Sequence, residues 1–347
     1  MLSAIIEKEN IETVEKLFSA SEKIVIVTHV SPDGDALGSS LGLYHYLVGR
    51  GKKVQIIVPN AYPDFLNWLP GVKTIYRYDK KEKEAKEAIS EADLICCLDF
   101  NTLSRINELA EPVRGATCKK IMIDHHLDPE PFCDVTISHP PISSTSELVF
   151  RLIYRLGGYE ELSFQAAECI YTGMMTDTGG FTYSSNQPEI YTVISALLAK
   201  GIDKDVIYRR VFYTYSENRL RLMGYVLYEK MQVYPSFRSA LICLSREEQK
   251  KFTFSKGDTE GFVNLPLQMK GIKFSVFFRE DTEQNMIKIS LRSVGTFPCN
   301  KVASEFFGGG GHLNASGGEF YGKMEDAVLL FKQALIKYES LLQIEEN

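Results

Sequence analysis

The chain has 347 residues, 44% of them hydrophobic and 24% charged, and its 39 basic and 45 acidic residues give a net charge of −6. That supplies enough apolar side chain for two domains of ordinary size, but not the net basic surface used to grip long nucleic acid through its phosphates. Seven cysteines with no CxxC spacing argue against a disulfide framework and point to a reducing, cytoplasmic setting.

The first residues, MLSAIIEKENIETVEKLF, space apolar side chains at helical intervals among charges, which predicts a docking helix and neither a signal peptide nor a membrane span. The run from Lys23 to Thr28 is β-branched and apolar and reads as a buried strand, and residues 36–51 after the next loop read as a helix ending at Gly51. Strands are predicted at 54–58, 92–99 and 119–124, with a charged helix at 80–92 between the first two. Adjacent Cys96 and Cys97 should then face opposite sides of a sheet. Helical spacing returns at 144–156, 164–176 and 188–200. Strands apolar on both faces and alternating with helices predict an α/β domain over 1–202, with a mostly parallel sheet flanked by helices. Residues 203–235 have few breakers and read as a helical linker. Shorter strands at 239–244, 273–280 and 286–293, a glycine-rich turn and a helix through Leu341 predict a smaller α/β domain over 236–347.

Acidic and imidazole side chains gather at four points of this pattern. His29 follows the first strand, with Asp33 and Asp35 on the loop before the next helix. Asp99 ends one strand, and Asp124, His125 and His126 follow another. Asp177 ends a helix just before two glycines. In an open α/β sheet, ligands collect beyond the carboxyl ends of the strands. Taken singly, any one of these aspartates reads as a turn or helix-cap residue. Four such clusters together would repel one another unless cations lay among them. Phosphoester hydrolysis needs an activated water and neutralised phosphate charge, which two divalent ions about 3.5–4 Å apart can supply, and mixed carboxylate and imidazole donors suit manganese. His45 and His139 read as ordinary residues.

HVSPDGDALGS, the aspartate of LICCLDFN, MIDHH and MMTDTGGF resemble the four motifs of the DHH phosphoesterase superfamily. FGGGGHLNASGG at 307–318, preceded by ISLRS, resembles that superfamily's associated C-terminal domain. The resemblance covers nearly the whole chain and is greatest to the bacterial oligoribonuclease and pAp-phosphatase group. It implies an active site in the cleft between the domains. It also implies that His29 and Asp33 hold one ion, that Asp35, His125 and Asp177 hold the other, and that Asp99 bridges them. Asp124 would orient a ligand, and His126 would lie near the phosphate, positioning it or assisting proton transfer. Asn101, Arg105 and the run Ser143–Ser144–Thr145 read equally well as substrate contacts or as turn and cap residues.

Gly309, Gly310 and Gly311 with His312 and Arg292 form a candidate phosphate cradle, because exposed backbone N–H groups nest anions and Arg binds phosphate in bidentate fashion. By themselves the glycines are a weak signal, and tight packing is their alternative reading. The expected activity is hydrolysis of short oligoribonucleotides from an end, with 3′-phosphoadenosine 5′-phosphate (pAp) as a further substrate. Cyclic or linear dinucleotides, pyrophosphate or polyphosphate are alternative substrates, and a nucleotide-binding regulator without turnover is the non-enzymatic alternative. No membrane partner is expected, and a homodimer is compatible with this reading.

Overall fold

A computed structural model describes residues 3–255 and 257–344, which form two compact units dividing between Thr214 and Tyr215. The first unit contains α1 (Lys8–Ala20), β1 (Lys23–Val27), α2 (Gly34–Gly49), β2 (Lys53–Val58), β3 (Tyr76–Arg77), α3 (Glu82–Ser90) and β4 (Leu94–Leu98). It continues through α4 (Ala110–Gly115), β5 (Lys119–Asp124), β6 (Val135–Ser138), α5 (Thr145–Arg155), α6 (Phe164–Asp177), α7 (Pro188–Leu198) and α8 (Lys204–Phe212).

The first sheet has the order β3-β2-β1-β4-β5-β6, and every pairing is parallel. Both of its faces are buried. Ile24, Ile26 and Cys96 join the core beneath α2, α5 and α6, whereas Val25, Val27 and Cys97 pack in a second apolar cluster on the opposite side. The adjacent cysteines therefore divide between faces, as strand pleating requires. Strand order reverses between β1 and β4, and that switch point is where an open sheet presents a crevice beyond its carboxyl ends. Helix α1 buries Ile11, Val14 and Phe18 in the first core. Met1 and Leu2, part of the predicted docking helix, lie outside the described residues.

Helix α2 begins two residues earlier than its apolar pattern suggests, because Asp33 caps it by accepting from the N–H groups of Asp35 and Ala36 at 3.0 Å. Its glycines then recur every four residues. A Cβ at Gly34 would lie 2.2 Å from Thr176 Oγ1, one at Gly38 would lie 2.7 Å from Gly173 Cα, and one at Gly42 would lie 2.4 Å from Ile170 Cγ1. This stripe lets α2 and α6 approach more closely than side chains permit.

The second unit contains α9 (Glu217–Tyr225), β7 (Met231–Tyr234), β8 (Ser239–Leu244), α10 (Arg246–Lys251), β9 (Phe274–Glu280) and β10 (Ile287–Ser293). It ends with α11 (Cys299–Phe306), β11 (Gly310–His312), β12 (Ala315–Phe320), α12 (Met324–Lys337) and α13 (Glu339–Leu342). Residues 203–235, read from sequence as a linker, thus carry α8 in one unit and α9 in the other. Residues 345–347 of the predicted second domain lie outside the described residues.

Its sheet runs β11-β12-β10-β9-β8-β7, antiparallel except for β8 with β9. Leu241, Val276, Phe278 and Leu291 bury one face with Phe307 and Phe331 of the helical layer, while Ile242, Leu244 and Phe277 pack with Leu222 and Phe262. The expected glycine-rich turn is corrected here. Gly310–His312 form an edge strand, which glycine permits because a Cβ at Gly311 would lie 2.6 Å from the Ala315 carbonyl oxygen.

Candidate metal centre

The carboxyl ends of β1, β4 and β5 deliver His29, Asp99 and the Asp124–His126 segment to one place, and the glycine-lined pair α2 and α6 adds Asp35 and Asp177. Asp99 sits at the centre. It is 2% exposed and adopts a left-handed backbone with φ 64°, a conformation that costs a non-glycine residue about 1–3 kcal/mol and is found where function over-determines it. Its two oxygens face different partners, with Oδ2 at 3.3 Å from His29 Nε2 and Oδ1 at 3.7 Å from His125 Nε2.

Around Asp99 the donors fall into sets. His29, Asp33 and Asp99 each offer a ligand atom within 4.8 Å of the others, and so do Asp35, His125 and Asp177. Asp99, Asp124 and His126 form a further such group. His125 Nε2 lies 3.6 Å from Asp177 Oδ2 and 4.0 Å from Asp35 Oδ2, while His29 Nε2 lies 3.9 Å from Asp33 Oδ1. The sequence-predicted metal ligands are thus brought together, all within the first unit.

The chemistry of these donors calls for cations. His29 Nδ1 lies 2.9 Å from the Val30 carbonyl and His125 Nδ1 lies 3.4 Å from that of Ile142. A carbonyl only accepts, so both Nδ1 atoms carry hydrogen and both Nε2 atoms turn toward carboxylates. A lone pair aimed at a carboxylate is repelled unless a proton or a metal ion lies between them. With protons alone, burial opposes the charge on His29, but the Asp99 hydrogen bond and the charges of Asp33 and Asp99 raise its pKa to about 9. Burial, followed by repulsion from Asp99 and Asp177, pushes Asp35 well up. Asp177 is raised to about 7 by burial and by Asp33 and Asp99, against the pull of His125. Burial also works against Asp99, yet the three imidazoles hold it well below the ordinary carboxylate range. Divalent ions would relieve all of these conflicts, so the residues fit the group that the motifs imply.

Asp124 is fully buried and accepts from His126 twice, from Nδ1 at 2.7 Å and from the backbone N–H at 2.9 Å. The His126 ring is thereby fixed with Nε2 directed away from Asp124. The residues left open by sequence resolve unequally. Ser144 is fully buried and its hydroxyl accepts from the Glu147 N–H at 3.1 Å, so that hydroxyl serves as the cap of α5. Asn101 donates to the Leu127 carbonyl at 2.6 Å and accepts the Glu130 N–H through its backbone, holding a turn. The Arg105 carbonyl accepts from Val30 N–H at 2.8 Å, its positive charge acts on His29, and its buried Nη1 has no hydrogen-bond partner among the described residues.

In the second unit, Arg292, Ala315 and His312 are in register across β10, β12 and β11, so their side chains share one face of the sheet. The neighbouring row is Ser290, Gly317 and Gly310, where a Cβ at Gly310 would meet nothing within 4 Å. Arg292 and His312 thus flank a floor of small residues. Sequence reasoning missed one contribution to the metal centre, the start of α5. The N–H groups of Thr145 and Ser146 donate to Asp35 at 2.7 and 2.8 Å, and Thr145 Oγ1 donates to Asp99 at 2.9 Å. The Ser-Ser-Thr-Ser run announced a helix start but not what its donors would hold.

Residues 23–174 match the DHH family N-terminal domain and residues 239–337 match the DHHA1 domain. The bifunctional oligoribonuclease and PAP phosphatase NrnA of Thermus thermophilus is 32% identical over 315 residues, 90% of this chain and 89% of that one. The NrnA of Bacillus subtilis, of the same description, is 27% identical over 93% of this chain and 97% of its own. The crystal structure of an exopolyphosphatase-related protein from Bacteroides fragilis is 64% identical, with a TM-score of 0.96 over 99% of this chain and 100% of that one. With this extent of similarity and both domains in order, the chain belongs to the DHH family of phosphoesterases.

Proposed function

We propose that this phosphoesterase hydrolyses short oligoribonucleotides from an end and dephosphorylates pAp in a cytoplasmic setting, using two divalent ions for which manganese is the first choice. The observation that carries this reading is the position of Asp99, whose Oδ2 lies 3.3 Å from His29, grouped with Asp33, and whose Oδ1 lies 3.7 Å from His125, grouped with Asp35 and Asp177. The likeness to the NrnA proteins supports the substrate class. No helix among the described residues is long and apolar enough to cross a membrane.

Ions held there would neutralise phosphate charge and activate water. The rest falls to the chain. Nδ1–H of His126 is committed to Asp124, so its Nε2 is the atom that meets the phosphate or moves a proton to the leaving oxygen. The Arg105 Nη1, buried without a hydrogen-bond partner among the described residues, is a donor suited to a phosphate oxygen. Arg292 and His312, across their small-residue floor, anchor a second phosphate or a base away from the reacting bond. Such an anchor would favour substrates of limited length. A homodimer is compatible with this reading.

The test is turnover by chelator-stripped protein, with and without added manganese, on pAp, RNA dimers to pentamers, long RNA, cyclic dinucleotides, pyrophosphate and polyphosphate. Metal-dependent preference for the short RNAs and pAp is expected. Preference for pyrophosphate or polyphosphate would replace the nucleotide reading, and full activity in excess chelator would end the two-ion one.

A further inference from the structure

Thr145 has no exposed surface, and it touches two different carboxylates of the centre. Its backbone N–H donates to Asp35 Oδ2 at 2.7 Å, and its hydroxyl donates to Asp99 Oδ1 at 2.9 Å. Asp35 groups with His125 and Asp177, whereas Asp99 groups with His29 and Asp33 and also places Oδ1 at 3.7 Å from His125 Nε2. A carboxylate turns readily about its last torsion. With Oδ1 tethered to Thr145, the other oxygen of Asp99 is left facing His29 at 3.3 Å.

The residue that holds these groups is itself held. Ser144 caps α5 through the Glu147 N–H. The buried Glu147 carboxylate accepts from Ser143 Oγ at 2.5 Å and from two Arg151 nitrogens at 2.7 and 2.9 Å. Arg151 in turn reaches Glu189 of α7 at 2.8 Å. On the opposite side, Gly173 makes room for this terminus, because a Cβ there would lie 1.9 Å from Ser146 Oγ. The first turn of α5 is therefore fixed between two helices, and Thr145 transmits that fixity to the carboxylates.

We propose that Thr145 is a positioning residue that couples the two metal-ligand sets, its hydroxyl setting the orientation of the shared Asp99 carboxylate and so the affinity and mutual spacing of the ion pair. This rests on the two-ion reading above. With no exposed surface, Thr145 acts in this proposal through the two carboxylates it holds.

Thr145→Val removes the hydroxyl while keeping the shape and the N–H to Asp35, Thr145→Ser keeps the hydroxyl, and Thr145→Ala repeats the deletion should the valine variant not fold. Stripped wild type and variants would be titrated calorimetrically with manganese, and the loaded proteins compared by electron paramagnetic resonance for spin coupling between the ions. Melting of the stripped proteins reports the fold. Wild type and T145S should bind two ions and give the coupled signal. T145V or T145A should bind manganese about 10–100-fold more weakly, the usual consequence of losing a partner that orients a ligand, with an altered coupled signal and lower kcat at nearly constant KM. Wild-type affinity and coupling in a folded hydroxyl-less variant would overturn the proposal, as would an equal loss in T145S, which would assign the effect to the methyl group. Fewer than two ions in the wild type would overturn the two-ion reading itself, and that result is read without any variant.

Discussion

Gly38 tests whether close approach of α2 and α6 builds the metal centre. A Cβ at this position would lie 2.7 Å from Gly173 Cα, Gly173 N and the Cys169 carbonyl oxygen, all of them backbone atoms that cannot rotate away. Carbon atoms pack at about 3.5–4.0 Å, so Gly38→Ala must part the helices by roughly 1 Å. Overpacking of this kind costs about 1–3 kcal/mol, while replacing a mid-helix glycine by alanine returns up to about 1 kcal/mol. The clash should win by about 1–2 kcal/mol, lowering the melting temperature by about 2–4 °C per kcal/mol for a unit of this size. Function should suffer more. Asp35 rides on α2 and Asp177 on α6, and a misplacement of about 1 Å can cost roughly 100-fold in rate. Gly49→Ala is the control, because it lies on the same helix with nothing within 4 Å of its would-be Cβ. It should melt at or slightly above wild type with full activity. Melting curves and manganese-dependent turnover of both variants decide the matter. A Gly38→Ala protein as stable and active as Gly49→Ala would refute the account of how these helices position their aspartates.

Three further outcomes are expected. Asp99→Asn, which retains a residue type tolerant of left-handed backbone, should fold yet abolish turnover and reduce ion binding at both donor sets, as measured by metal analysis after desalting. In stripped protein, His29 is raised from 6.5 to about 9 and Asp177 from 3.8 to about 7, so the stability each contributes is present at low pH and lost as pH climbs through its folded value. The melting temperature should therefore fall from about pH 5 to pH 9 and fall less with manganese, and a flat profile in the stripped protein would contradict the carboxylate crowding described above. Arg292→Ala or His312→Ala should lower kcat/KM for short RNA and pAp by about tenfold, or about 1.4 kcal/mol, with metal content unchanged and a small generic phosphodiester cleaved normally. Equal losses on both kinds of substrate would assign these residues to chemistry or folding instead of anchoring.

The residues that converge on the centre were legible because each follows an element with a strong local signature. KIVIV, LICCL and KKIMID are buried parallel strands whose apolar character needs no partner to be recognised, and His29, Asp99 and Asp124 stand where those strands end. Asp177 was legible for a related reason, since two glycines of positive φ follow it and stop the helix. The sheet's edges were not legible. β3 has two residues and β6 four, too short for alternation to stand out, and each exists only because a longer neighbour offers unpaired backbone groups. The glycines at 308–311 misled for the opposite reason, because a run without side chains has no face to read. Whether such a run turns or pairs depends on what lies opposite, here Gly317 and Ser316, with the Gly317 and Ala315 carbonyls pressed close. Thr145 shows the same limit inside the candidate centre. Its local pattern specifies a helix start completely, and that pattern is satisfied. Its second task depends on Asp35 and Asp99, which lie 110 and 46 positions away in sequence. Ligand identity is written locally because a strand end presents a side chain whatever surrounds it. Ligand orientation depends on which helix terminus arrives beside it, and only packing decides that.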